Sequence, residues 1–160
     1  MKRSATILFL VLFAAFTGVA QKGEDQEQSI KKSAVPKAIL AAFEKSYPHA
    51  KVKGYSKEIG NGVAEYELES LDGKISRDIS YAEDGSVLAV EESIAYADLP
   101  EAVRATITKE HPKHTVASCE KLTKGSTIEY EVVLKQGKKK TEVVFDAAGA
   151  VVKKEEKGKK

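Results

Sequence analysis

Few side chains in this chain of 160 residues carry reactive chemistry. It has three histidines (His49, His111 and His114) and one cysteine, Cys119. His111 and His114 flank Pro112-Lys113 and could suggest a metal pair, but proline breaks the helical spacing that would set them on one face. A single thiol can build neither an intrachain disulfide nor a four-cysteine zinc site. Cys119 has no His/Asn arrangement around it and reads as a thiol buried in a strand. Ser70 and Ser86 lack the glycine pattern of a nucleophile elbow, and no glycine-rich phosphate loop occurs. These residues argue against an enzyme. The expectation is no catalytic residue, no metal and no cofactor.

Carboxylates are the exception. Alternation along the apolar segments places Glu65, Glu67 and Glu69 on one side of a strand, and Glu129 and Glu131 on the same side of a later one. A two-residue turn at Asp72-Gly73 pairs Leu71 with Lys74, which sets Glu67 opposite Asp78. A similar turn at Asp84-Gly85 sets Asp78 opposite Glu91. The same arithmetic aligns Glu131, Glu142 and Glu155. Each half of the chain then carries a row of three carboxylates across its sheet. Like charges directly opposite destabilise a sheet, and such local conflicts often mark function. Two carboxylates could serve a glycosidase as acid and base, but that chemistry needs a cleft, and a short flat sheet offers none. The rows read as a solvated face screened by Lys74, Lys138 and Lys140, as a surface for a basic partner segment, or as a weak divalent-cation site. The candidate binding residues are Glu65, Glu67, Asp78, Glu91, Glu129, Glu131, Glu142 and Glu155.

The elements that position these groups recur. At an offset of 64 residues Pro36 matches Pro100, Pro48 matches Pro112, and Glu65-Tyr66-Glu67 matches Glu129-Tyr130-Glu131. Gly73-Lys74 matches Gly137-Lys138, Gly85 matches Gly149, and Glu91-Glu92 matches Glu155-Glu156. A repeat this long is a supersecondary unit. Each unit opens with a proline-initiated helix; Asp98 and Glu101 have capping-box spacing in the second. Ile39, Phe43 and Tyr47 form one helical stripe, and Leu99, Val103, Ile107 and His111 form the other. Pro48 and Pro112 stop the helices. Four strands follow, roughly 51–58, 62–70, 74–82 and 86–92, then 115–122, 126–135, 138–146 and 150–155. Ala64, Tyr66, Leu68, Ile75, Ile79 and Tyr81 should lie under the helices, with Ile128, Tyr130, Val132, Val143 and Phe145. Tyr66 and Tyr130 read as core tyrosines. The expected fold is α+β: two tandem repeats of one helix followed by a four-stranded antiparallel sheet, with the helices packed on one sheet face.

Residues 1–20 have the pattern of a secretory signal peptide. Lys2 and Arg3 precede an apolar run of about 14 residues, short of the roughly 20 a spanning helix needs. Gly18-Val19-Ala20 supplies the small residues of a cleavage site after Ala20. Residues 21–34 read as a flexible polar leader, 35–94 and 95–156 as the two repeats, and 157–160 as a basic tail. The full chain has 26 basic and 24 acidic residues, a formal +2. Without Lys2 and Arg3 the balance is 24 against 24. Residues 21–98 then hold 10 basic and 15 acidic residues, a net of −5, and residues 99–160 hold 14 and 9, a net of +5. Such a balance argues against a nucleic-acid binder.

Val35-Pro36, Tyr66-Glu67, Gly73-Lys74, Leu99-Pro100, Tyr130-Glu131-Val132 and Phe145-Asp146-Ala147-Ala148-Gly149 resemble the motifs of the PepSY-like, beta-lactamase-inhibitor-like family, once per repeat. The resemblance implies an exported, non-enzymatic binding or inhibitory module whose inhibitory relatives hold their target on the sheet face opposite the helices. The expected protein is therefore periplasmic or secreted and off the membrane once the signal is cleaved. Its expected partner is a protein or peptide of the cell envelope. The alternative is an envelope sensor or scaffold for a small ligand or a divalent cation.

Overall fold

The computed structural model describes residues 27–60 and 62–157. The proposed signal peptide therefore lies outside the described residues. In chain order the elements are β1 (Gln28–Ser29), α1 (Lys37–Ser46), β2 (Lys51–Gly60), β3 (Val63–Asp72), β4 (Ile75–Ala82) and β5 (Val87–Ser93). After them come α2 (Glu101–Glu110), β6 (Thr115–Lys124), β7 (Thr127–Gln136), β8 (Lys139–Asp146) and β9 (Val151–Lys157). The strands lie in one sheet in sequence order, and every neighbouring pair is antiparallel.

The expected fold class needs correcting. The described residues form one nine-stranded antiparallel sheet carrying two α-helices, not two units each with its own four-stranded sheet. β5 pairs with β6 from Val90↔Thr123 to Ser93↔Glu120 and merges the halves. The physical reason is the edge problem: two separate sheets would leave the backbone groups of β5 and β6 unpaired. Residues 28–29, in the polar leader, pair with Ser56 and Lys57 as a short edge strand.

Both helices begin after proline, where a missing N–H costs nothing. No side chain caps either one. The expected capping box of Asp98 and Glu101 does not form, because Asp98 ends a short 3-10 turn and Leu99-Pro100 intervene before Glu101. Ile39 and Phe43, four apart, turn one face of α1 onto Tyr66, Leu68, Ile79 and Tyr81. Val103 and Ile107 turn α2 onto Cys119, Val132, Leu134, Val143 and Phe145. Each such fully buried side chain contributes about 1.5–3 kcal/mol. The two clusters share no residue.

Two hairpins fasten the helices to the sheet. A Cβ on Gly149 (φ +83°) would lie 2.6 Å from the Ala102 carbonyl oxygen, and one on Gly85 (φ +88°) would lie 2.9 Å from that of Ala38. Only glycine accepts both that conformation and that approach. Thr106 Oγ1 donates to the Gly149 carbonyl at 2.9 Å.

Candidate functional site

Pleating sends alternate side chains to opposite faces. The buried residues Tyr66, Leu68, Ile79, Tyr81, Val132, Val143 and Phe145 define the helix-covered face. The residues between them define the outer face, and all eight candidate carboxylates stand there. They lie on β3 (Glu65, Glu67), β4 (Asp78), β5 (Glu91), β7 (Glu129, Glu131), β8 (Glu142) and β9 (Glu155).

Their register differs in part from the sequence arithmetic. Asp78 faces Glu91 and Glu142 faces Glu155, although the loops at 83–85 and 147–149 have three residues rather than two; a bulge at Ser80/Tyr81 and another at Val144/Phe145 restore the register. Asp78, however, faces Glu69 on β3, while Glu67 faces Ser80. Asp72 pairs with Ile75, so the tight turn is Gly73-Lys74 rather than Asp72-Gly73. The left-handed φ of +61° at Gly73 suits the first central position of a hairpin turn. The equivalent turn in the second half is Gly137-Lys138, which sets Glu142 opposite Val133 and Glu131 opposite Val144. Glu129 faces Asp146 across the same ladder. The row in the first half therefore runs Glu69–Asp78–Glu91, and the expected row in the second half is reduced to Glu142–Glu155.

One member escaped the sequence. Glu120 on β6 stands opposite Glu131 and diagonal to Glu91. Carboxylate oxygens of Glu91, Glu120 and Glu131 lie within 4.8 Å of one another. The alternation of β6 placed Glu120 opposite in face to Cys119. Its neighbours across β5–β6 depend on a register that no hairpin turn sets.

The crowding shows in the ionisation of these groups. Glu91 retains 9% of its surface. Burial is the main force holding it protonated far above the usual carboxylate range, reinforced by a hydrogen bond to Glu120 and by the charges of Glu120, Glu131 and Asp78. Burial, then Asp78, pushes Glu67 up to about 7. Burial, then Glu69, pushes Asp78 up to about 6. Glu27, Glu58, Glu65 and Glu67, with Ser56 and Ser80, line a depression of about 20 Å³ on the same face, room for about one water. The central trio stands on flat strands whose backbone carbonyls serve the ladders. A calcium ion asks for backbone and loop oxygens besides carboxylates; the arrangement here suits proton sharing between Glu91 and Glu120.

The histidines sit elsewhere. His111, 8% exposed at the end of α2, meets the His114 ring edge-on, with centroids 5.1 Å apart. Among the described residues neither joins a three-ligand group. Cys119 is 5% exposed, in β6 beneath α2, and burial raises its thiol to about 11.

This architecture has counterparts. It is similar to a BLIP-like protein of Bacteroides fragilis (TM-score 0.59, 23% identity, covering 76% of this chain and 86% of that one). It is also similar to DUF2874 family proteins of Bacteroides uniformis (0.62, 14%, 76% and 88%) and Bacteroides ovatus (0.60, 13%, 76% and 86%). These likenesses show a shared fold. No curated protein matches the chain. The family model described as beta-lactamase-inhibitor-like, PepSY-like matches it twice, over residues 21–89 and 64–153. The chain belongs to the PepSY-like, beta-lactamase-inhibitor-like family.

Proposed function

We propose that this chain is an exported, non-enzymatic binding module that receives a basic polypeptide segment on the outer face of its sheet. The observation that carries the reading is the unbroken run of carboxyls across that face. Glu65, Glu67 and Glu69 lead to Asp78, Glu91, Glu120, Glu129, Glu131 and Glu142 on six adjacent strands. Carrying so many like charges on one side of a sheet costs stability; a lysine- or arginine-rich partner would relieve that cost on binding. Complementary charge also speeds encounter and excludes wrong partners.

The signal-like residues 1–20, cleaved after Ala20, support a periplasmic or secreted location. Among the described residues no helix is long and apolar enough to cross a membrane. The working division is a signal peptide (1–20), a polar leader (21–34), two family units (35–94 and 95–156) and a basic tail (157–160). The family description makes an extracytoplasmic enzyme a reasonable class of target, with the chain acting as its inhibitor.

The test is binding of a fluorescent lysine-rich peptide, with a glutamate-rich peptide as control. Binding of the basic peptide alone, weakened by salt and by combined Glu65→Lys and Glu129→Lys exchange, is the expected result. Binding that survives charge reversal, or no binding at low salt, would overturn the reading.

A further inference from the structure

The sheet is continuous, but the core beneath it is not. The α1 and α2 clusters share no residue. The halves are therefore held mainly through the β5–β6 ladder, confined to Val90–Ser93 against Glu120–Thr123. By contrast, β3 pairs with β4 from Glu65 to Asp72. One further backbone bond, Ile94 N–H to the Cys119 carbonyl at 2.9 Å, extends the joint.

The outer side of this joint carries the tightest group of carboxyls in the described chain. Glu91 comes from β5, Glu120 from β6 and Glu131 from β7, with oxygens within 4.8 Å of one another. Asp78 of β4 faces Glu91, and Glu69 of β3 stands behind Asp78. The charged groups acting on Glu91 from the strands around it are thus Glu120, Glu131 and Asp78, all acids. Leu122 sits directly opposite Glu91 on β6.

We propose that the seam between the two halves is a proton-held joint. With one proton shared between Glu91 and Glu120 the β5–β6 ladder is closed; when that proton leaves to solvent, facing carboxylates push the halves apart. In the closed state the Glu91 carboxyl donates to the Glu120 carboxylate, and the pair carries one negative charge. After deprotonation it carries two, across a short ladder backed by Ile94 against the α2 cluster but by no buried residue that the two clusters share. Two unit charges with oxygens within 4.8 Å repel far more strongly at the effective dielectric near a protein surface than in bulk water. The direction of the Glu91 shift agrees: the closed joint holds a proton that an open one would release. The inference does not depend on what the outer face binds.

Hydrogen exchange of the exported chain, read amide by amide at pH 5.5 and 8.5 and corrected for intrinsic rates, tests it. Protection across Val90–Ser93 and Glu120–Thr123 should fall at least about tenfold further than that of β3–β4 amides at the higher pH. Glu91→Gln keeps a hydrogen-bond donor without the titration and should abolish that excess fall. If that variant does not fold, Glu120→Gln reads the same joint from its other side. Seam protection that ignores pH, that falls equally with β3–β4, or that still falls beyond β3–β4 in the amide variant would overturn the proposal.

Discussion

Arg77 on β4 lies over the ring of Tyr47 at the end of α1, its guanidinium carbon 5.1 Å from the ring centroid, while its Nε donates to Glu92 on β5. The arginine side chain is 12% exposed and Glu92 26%. This cation ties α1 to the sheet beside the carbonyl end of the helix, where positive charge is favoured. Arg77→Ala leaves Glu92 uncompensated and should cost about 2 kcal/mol. Arg77→Lys keeps the charge but loses the planar stack, and should fall between. Urea denaturation of the two variants checks both the loss and the ranking.

Gly149 and Gly73 both have positive φ, yet only Gly149 is crowded. Gly149→Ala should destabilise by about 2–3 kcal/mol, since the hairpin must retreat from Ala102 and Thr106. Gly73→Ala meets open space and should cost only the backbone strain, about 1 kcal/mol. Equal losses in thermal melts would mean that the close approach to α2 contributes nothing.

Stability should run against the usual acid sensitivity between pH 5 and pH 8. Glu67 is raised to about 7 and Asp78 to about 6 in the folded chain. A carboxyl whose folded value is raised binds its proton more tightly when folded. Its favourable contribution is therefore complete below the unfolded value and is lost as pH rises through the folded one. Denaturation midpoints should decline from pH 5 through 7. Glu67→Gln with Asp78→Asn should flatten that decline.

Cys119 should resist alkylation. Burial keeps its thiol protonated at neutral pH and out of reach. Iodoacetamide should label the native chain slowly at pH 8 and label it quickly in denaturant. Rapid labelling of the native chain would show that β6 opens beneath α2.

Much of the arrangement was legible from residue types and spacing. Alternation alone separated Tyr66, Leu68, Ile79 and Tyr81 from Glu65, Glu67 and Asp78, because a strand offers only two faces. The opposition of Asp78 and Glu91 matches the arithmetic of a two-residue Asp84-Gly85 turn, but it arises from a three-residue loop offset by a bulge at Ser80/Tyr81. The partner of Asp78 on β3 was misread by two residues. Asp72-Gly73 and Gly73-Lys74 are both plausible central pairs, each with glycine at positive φ, and only the pairing of Asp72 with Ile75 distinguishes them.

The sequence by itself determined which side chains share a face, where the helices begin and end, and that carboxylates crowd the side away from the apolar stripe. These are local properties, set by the pleat of a strand, the pitch of a helix and the geometry of proline and glycine. The tertiary structure alone decided that the halves form one sheet, and that Glu120 closes with Glu91 and Glu131. β5 and β6 are joined through α2 rather than a tight turn, so no short-range rule sets their register. Their pairing follows from the need to satisfy two open edges, and it gathers acids from both halves at one joint.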